Sequence, residues 1–173
     1  MEKISKQVEN AIKESIKLEI NGRNFFIHAA EITHNELGKK MFQRLADEEV
    51  KHLEVFSKLF TSVLKEKDWK KYVRGEELKG KSPLIEELAS RMKKAEGKSD
   101  IEALSIGMQL EEQAIEHFQK AANEVDDPQA REIFQNICEE EKFHYDLLQS
   151  QRDSLTHSGF WLDSAEFQMD GKF

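Results

Sequence analysis

Apolar side chains recur along this chain at helical spacing. Over residues 3–34, Ile4, Val8, Ala11, Ile12, Ile16, Phe26, Ala30 and Thr33 stay near one face of a 3.6-residue period, and Glu19 falls on the same stripe. A second stripe spans 36–66 and holds Phe42, Leu45, Ala46, Leu53, Phe56 and Phe60, with Glu49 and His52 among them. Asn35, just before it, is a good N-cap. The pattern lapses over 67–98, a lysine-rich stretch in which Ser82-Pro83 opens a short helix of about 83–95 and Gly97 closes it. Ser99 and Glu102 read as a capping box for a third long helix, about 100–125. Asp127-Pro128 caps and starts a fourth, running to about 152. Residues 154–173, with Phe160, Trp161, Phe167 and Phe173, read as an extended tail that packs on the body of the protein or on a partner chain.

The acidic residues on these apolar stripes repeat. Glu49-Val50-Lys51-His52 and Glu141-Lys142-Phe143-His144 both read Glu-x-x-His, and each has a further glutamate thirty positions upstream, Glu19 and Glu111. All three positions are offset by 92 residues. Laying 18–54 over 110–146 without a gap matches Leu18, Glu19, Phe26, Ala29, Ala30, Phe42, Gln43, Glu48, Glu49 and His52 to identical residues. Such self-similarity marks a duplicated structural unit, here about 3–66 and 99–152, joined by a crossover over 67–98.

Helical geometry turns the repeat into a site. Residues i and i+3 lie one turn apart on one face, so each Glu-x-x-His can direct a carboxylate and an imidazole at one point. Glu19 and Glu49 lie at nearly equal distances from the Asn35 turn, about 22 Å along their helices, and Glu111 and Glu141 repeat this about the Asp127 turn. Each hairpin thus gathers Glu, Glu and His halfway along its length. Glu49 is about 13 residues into the second helix and Glu111 about 11 into the third, heights that match with those helices parallel. Parallel neighbours need a long connection, which 67–98 supplies.

Four buried carboxylates cannot stay ionised without compensation, and two divalent cations would cancel their charge. Glu19, Glu49, His52, Glu111, Glu141 and His144 form an oxygen and nitrogen donor set suited to two iron or manganese ions with open positions; zinc can enter adventitiously because it outranks Fe(II) in the affinity order. Glu48 and Glu140, next to Glu49 and Glu141, are placed either to hydrogen-bond the histidines or to make solvated pairs. Gly22 and Ala114, three residues after Glu19 and Glu111, either leave room over the metals for a small oxidant or serve close helix packing. The remaining histidines, His28, His34, His117 and His157, have no repeat mates and are expected at the surface or in packing roles.

Composition narrows the classes. At 173 residues the chain is long enough for one sizeable core, and two prolines and eight glycines suit a helical protein. A net charge of −8 argues against general nucleic-acid binding. No apolar run approaches a membrane span, and the first ten residues lack a signal peptide's apolar core, so a cytoplasmic protein is expected. The single cysteine, Cys138, excludes an internal disulfide and any four-cysteine iron or zinc module in this sequence, and reads as a small core residue.

A glutamate on helices one and three, with Glu-x-x-His on helices two and four, resembles the ferritin-like di-iron carboxylate superfamily, and most closely its rubrerythrin and erythrin group. The resemblance covers about 3–152. It implies an all-α, ferritin-like four-helix bundle with one long crossover between helices two and three. It implies that Glu49 and Glu141 bridge two iron ions, with Glu19 and His52 completing one site and Glu111 and His144 the other. It further implies an oxidoreductase in oxidative-stress defence, reducing hydrogen peroxide or dioxygen at the di-metal centre itself, as a homodimer or larger homo-oligomer. Three departures are visible. No rubredoxin-type module accompanies the single cysteine, so an external donor such as rubredoxin is expected. Ala114 stands where such proteins usually carry an extra glutamate, and Phe26 and Phe118 stand where tyrosines are often found near the metals. The alternatives are a ferroxidase and iron-storage protein of ferritin type, or a bundle that metal merely stabilises.

Overall fold

A computed structural model describes residues 6–64, 83–94 and 99–163. Five helices account for nearly all of them: α1 (Lys6–Ile32), α2 (Glu36–Leu64), α3 (Pro83–Lys94), α4 (Ser99–Glu124) and α5 (Pro128–Ser158). There is no strand among the described residues. The fold is the expected all-α, ferritin-like bundle, built from α1, α2, α4 and α5, with the long connection between the second and third of these helices carrying α3.

The turns form where side chains satisfy the first free amides of the following helix. Asn35 Oδ1 accepts from the amides of Leu37 (2.9 Å) and Gly38 (3.3 Å). Asp127 accepts from the Ala130 amide at 2.8 Å, and Pro128 occupies the first turn, where its missing N–H costs nothing. The expected capping box at Ser99 is replaced by a contact between helices. α4 begins at Ser99 itself, and the Glu102 carboxylate takes the guanidinium of Arg91 at 2.8 Å, tying α3 to α4. The Gly97 stop expected for α3 lies outside the described residues.

Two apolar layers fix the helix directions. The first joins Val8, Ile12, Ile16 and Ile20 of α1 to Phe56 and Phe60 of α2, Phe118 of α4 and Phe134 of α5. The second joins Phe25 and Phe26 of α1 to Met41 and Phe42 of α2, Leu104 and Met108 of α4 and Leu148 of α5, with Leu88 and Met92 of α3 closing its side. The first layer therefore meets the early part of α1 and α5 and the late part of α2 and α4. So α2 runs parallel to α4, as the heights of Glu49 and Glu111 require. Phe56, Phe118 and Phe134 pack with ring centroids 5.4–6.3 Å apart. Each such ring, fully buried, stabilises the fold by roughly 1.5–3 kcal/mol. Glu49, Glu111 and Glu141 sit between the two layers in sequence along their helices, and Glu19 lies beside Ile20 at the end of the first layer's stretch of α1, so apolar packing flanks the polar stratum on both sides.

The C-terminal segment differs from the expected extended tail. α5 continues six residues past the expected end, to Ser158, where Gly159 takes a left-handed φ of 76° and its amide bonds to the Leu155 carbonyl. Glycine is the residue that adopts this conformation without strain. The chain then turns back. Buried Gln151 donates to the Leu162 carbonyl and accepts from its amide, both at 2.8 Å, and Trp161 packs edge-on to Phe42 at 6.0 Å. Of the aromatic residues expected to pack, Trp161 does, whereas Phe160 is 73% exposed; Phe167 and Phe173 lie outside the described residues.

Candidate metal centre

The six repeat-matched residues meet in the middle of the bundle. Glu19, Glu49, His52, Glu111, Glu141 and His144 are all at least 96% buried. α1 and α4 contribute one glutamate each, and α2 and α5 each contribute a glutamate and the histidine one turn later, because i and i+3 share a helix face. Their donor atoms form two groups: Glu19, Glu49, His52 and Glu141, and Glu49, Glu111, Glu141 and His144. Within each group the donor atoms lie within 4.8 Å of one another, and Glu49 and Glu141 belong to both.

Both imidazoles turn Nδ1 toward the carboxylates. His52 Nδ1 lies 3.1 Å from Glu141 Oε1 and 3.3 Å from Glu19 Oε2. His144 Nδ1 lies 2.9 Å from Glu141 Oε2, 3.4 Å from Glu49 and 3.5 Å from Glu111. The rings are nearly parallel, 5.7 Å apart. Glu140, which is half exposed, reaches across from α5 to His52 Nε2 at 2.5 Å.

Electrostatics show how a cluster of four carboxyl groups is tolerated in a core. Burial, reinforced by the charges of Glu49 and Glu141, pushes Glu19 well above the usual carboxylate range. Burial does the same to Glu111, again with Glu141 and Glu49 adding to it. Glu141 goes the other way. Burial works to raise it, but hydrogen bonds from His144 and His52 outweigh burial and hold it well below that range. Burial would lower both histidines, yet the surrounding carboxylates raise them well above their ordinary value. Protons thus hold the cluster together where cations otherwise could.

That compensation is incomplete. Both carboxyl oxygens of Glu19 and one each of Glu49 and Glu111 are buried without a hydrogen-bond partner. The 3.3 Å approach of His52 Nδ1 to Glu19 is an ion-pair contact, longer than the 3.1 Å hydrogen bond between the same nitrogen and Glu141. Buried acceptors left unsatisfied are costly, and a divalent cation is the partner this donor set fits. The residues present therefore suit two hard or borderline metal ions.

A cavity of about 50 Å³ opens beside the cluster between α1 and α4. Leu18, Asn21, Gly22, Leu110, Gln113 and Ala114 line it, with Phe26, Glu49 and Glu111. A Cβ placed on Gly22 would stand 3.1 Å from Glu49 Oε2, so the glycine gives that carboxylate its room. Gly22 thus permits the close approach of Glu49 from α2 and borders this cavity. Leu18, Asn21, Leu110 and Gln113 carry no chemical signature, yet they are repeat mates at the same 92-residue offset, which marks them as one rim.

The other polar candidates stand apart. Half-buried His117 pairs with buried Ser15 across α1 and α4 at 2.9 Å, in a packing role. Cys138 is buried beside the Ile115 carbonyl, as a small core residue. No described helix is long and apolar enough to cross a membrane.

The rubrerythrin family model matches residues 10–151. Comparison with curated protein sequences gives no significant match. Among solved structures, a hypothetical protein from Pyrococcus furiosus is similar, with 24% identity and a TM-score of 0.66 over 86% of this chain and 90% of that one. A hypothetical protein from Methanococcus jannaschii shares 16% identity with a TM-score of 0.67 over 98% and 94% of the two chains. At these identities the likeness to both is one of fold.

Proposed function

Because the chain belongs to the rubrerythrin family, we propose that its six buried donors hold two iron ions and that the protein uses them to reduce hydrogen peroxide in defence against oxidative stress. One observation carries this reading: two groups of buried donors share Glu49 and Glu141, and several of their oxygens lack a hydrogen-bond partner within the protein. In this reading Glu49 and Glu141 bridge, Glu19 and His52 complete one position, and Glu111 and His144 complete the other. Manganese suits the same donors, and zinc could occupy them adventitiously.

Two iron ions held here would supply the two electrons that convert peroxide to water. The protein's own residues set the conditions. Four carboxylates favour the more highly charged, oxidised metal pair. The two aromatic layers keep water from the cluster and strengthen every charge interaction inside it. The cavity at Gly22 and Ala114 is of a size for a molecule like peroxide or dioxygen and too small for an organic substrate. Cys138 is buried in the core, and in this reading the returning electrons come from a carrier such as a rubredoxin.

Stopped-flow oxidation of the anaerobic di-ferrous protein by each oxidant at equal concentration tests the reaction. Peroxide should react faster than dioxygen, and turnover should need added carrier. Faster reaction with dioxygen, in a protein that sizes as a cage-like oligomer, would overturn the proposal in favour of ferroxidase and storage. Fe(II) titration tests the ligands: about two ions per chain should bind, and Glu49→Ala or Glu141→Ala should remove most of this. Unchanged stoichiometry in both variants would refute the assignment.

A further inference from the structure

The duplication is broken at one point beside the metal cluster. Glu48 and Glu140 are repeat mates, as are His52 and His144. Glu140 reaches across the α2–α5 interface to His52 Nε2 at 2.5 Å. The mirrored contact, Glu48 to His144, is not made. Glu48 bonds Lys51 of its own helix at 3.1 Å, and His144 Nε2 is buried without a hydrogen-bond partner. The sequence supplies a reason: the repeat mate of Lys51 is Phe143, so Glu140 has no lysine at that position to draw it away.

We propose that Glu140 is the positioning residue for His52, and that the two metal positions are consequently unequal, the Glu19/His52 position binding more tightly than the Glu111/His144 position. This rests on the metal reading above. An imidazole binds a metal through an unprotonated nitrogen, so the proton must sit on the other one. Nδ1 faces the cluster in both histidines, so the binding tautomer is Nε2–H. At His52 that N–H has an acceptor in Glu140, which fixes the tautomer and the ring angle and makes Nδ1 more basic. At His144 the same tautomer would leave a buried N–H without an acceptor. Nδ1 faces Glu141 in both rings, at 3.1 Å in His52 and 2.9 Å in His144, so the acceptor at Nε2 is what separates them. Binding at His144 therefore requires a proton on Nε2, where nothing receives it. Removing an outer carboxylate of this kind typically weakens metal affinity about 10–100-fold.

The test is Co(II) titration of the full-length chain, freed of metal and kept anaerobic, followed by visible absorption and calorimetry. The wild type should bind two equivalents in two resolved steps. Glu140→Ala should weaken the tighter step about 10–100-fold and leave the other unchanged, while Glu140→Gln, which keeps an acceptor oxygen, should restore part of it. Glu48→Ala should alter neither step. In the Zn(II)-loaded protein, ¹⁵N-histidine NMR should show a protected Nε2–H on His52 that disappears in Glu140→Ala. Two equal steps in the wild type, or equal losses from Glu48→Ala and Glu140→Ala, would overturn the inequality while leaving the di-metal reading intact. Fewer than two bound equivalents in the wild type would overturn both.

Discussion

Replacing Glu19 by methionine should make the metal-free protein more stable and the metal-loaded protein less stable. Glu19 is 1% exposed, and neither of its carboxyl oxygens has a hydrogen bond. A buried polar group without a partner costs about 1–3 kcal/mol. Methionine is slightly larger than glutamate, but its flexible thioether fits irregular space. His52 loses a neighbour at 3.3 Å yet keeps Glu140 and Glu141. A net gain of about 1–2 kcal/mol is expected, which for a domain of this size raises Tm by roughly 2–8 °C. Metal reverses the order. A ligand at a thousand times its Kd stabilises the folded state by about 4 kcal/mol, and the variant loses an oxygen donor of one position. Urea and thermal unfolding of both proteins, in chelator and in excess Co(II), measure the crossover. A variant more than about 1 kcal/mol less stable than wild type in chelator would show that Glu19 is satisfied in the metal-free core, contrary to the reasoning. Equal stabilisation of both proteins by Co(II) would remove Glu19 from the ligand set.

Three further outcomes are expected. Gly38→Ala would place a Cβ 2.7 Å from the Trp161 ring and 2.9 Å from the Thr33 methyl, so it should loosen the Trp161 contact and cost about 1–3 kcal/mol, read by urea unfolding. Phe118→Ala, at the centre of the first aromatic layer, should cost about 3–5 kcal/mol in the same measurement, with part of the metal affinity lost as water reaches the cluster. Burial lowers the pKa of His117, so the unfolded chain protonates first as pH falls through about 6.5. The stability this histidine contributes is full above that pH and declines below it, toward its folded pKa. Between pH 7 and 5, the urea midpoint of His117→Gln should fall less steeply than that of wild type.

The sequence determined the helices, their hairpins and the identity of the six clustered residues. Hydrophobic period, capping side chains and spacing along a helix are local properties, and the 92-residue offset made one half of the chain a check on the other. The same local logic placed Glu19 and Glu49 at one height and implied that α2 runs parallel to α4, which the two aromatic layers bear out. Where the outcome depended on a residue from another element, sequence pattern did not suffice. Glu102 had the spacing of a capping box, but Arg91 on α3 is a charged partner, and a capping bond from Glu102 gives way to it. α5 continued past its expected end because Gln151 and the Phe42 face receive the returning chain at Leu162 and Trp161, a docking that no local propensity encodes. The repeat made Glu48 and Glu140 equivalent, and only the packed structure separated them: one carboxylate finds Lys51 on its own helix, and the other finds His52 across an interface. Periodicity fixes which face a side chain is on. Which of two partners it takes there is decided by distance and burial, and those exist only once the helices have packed.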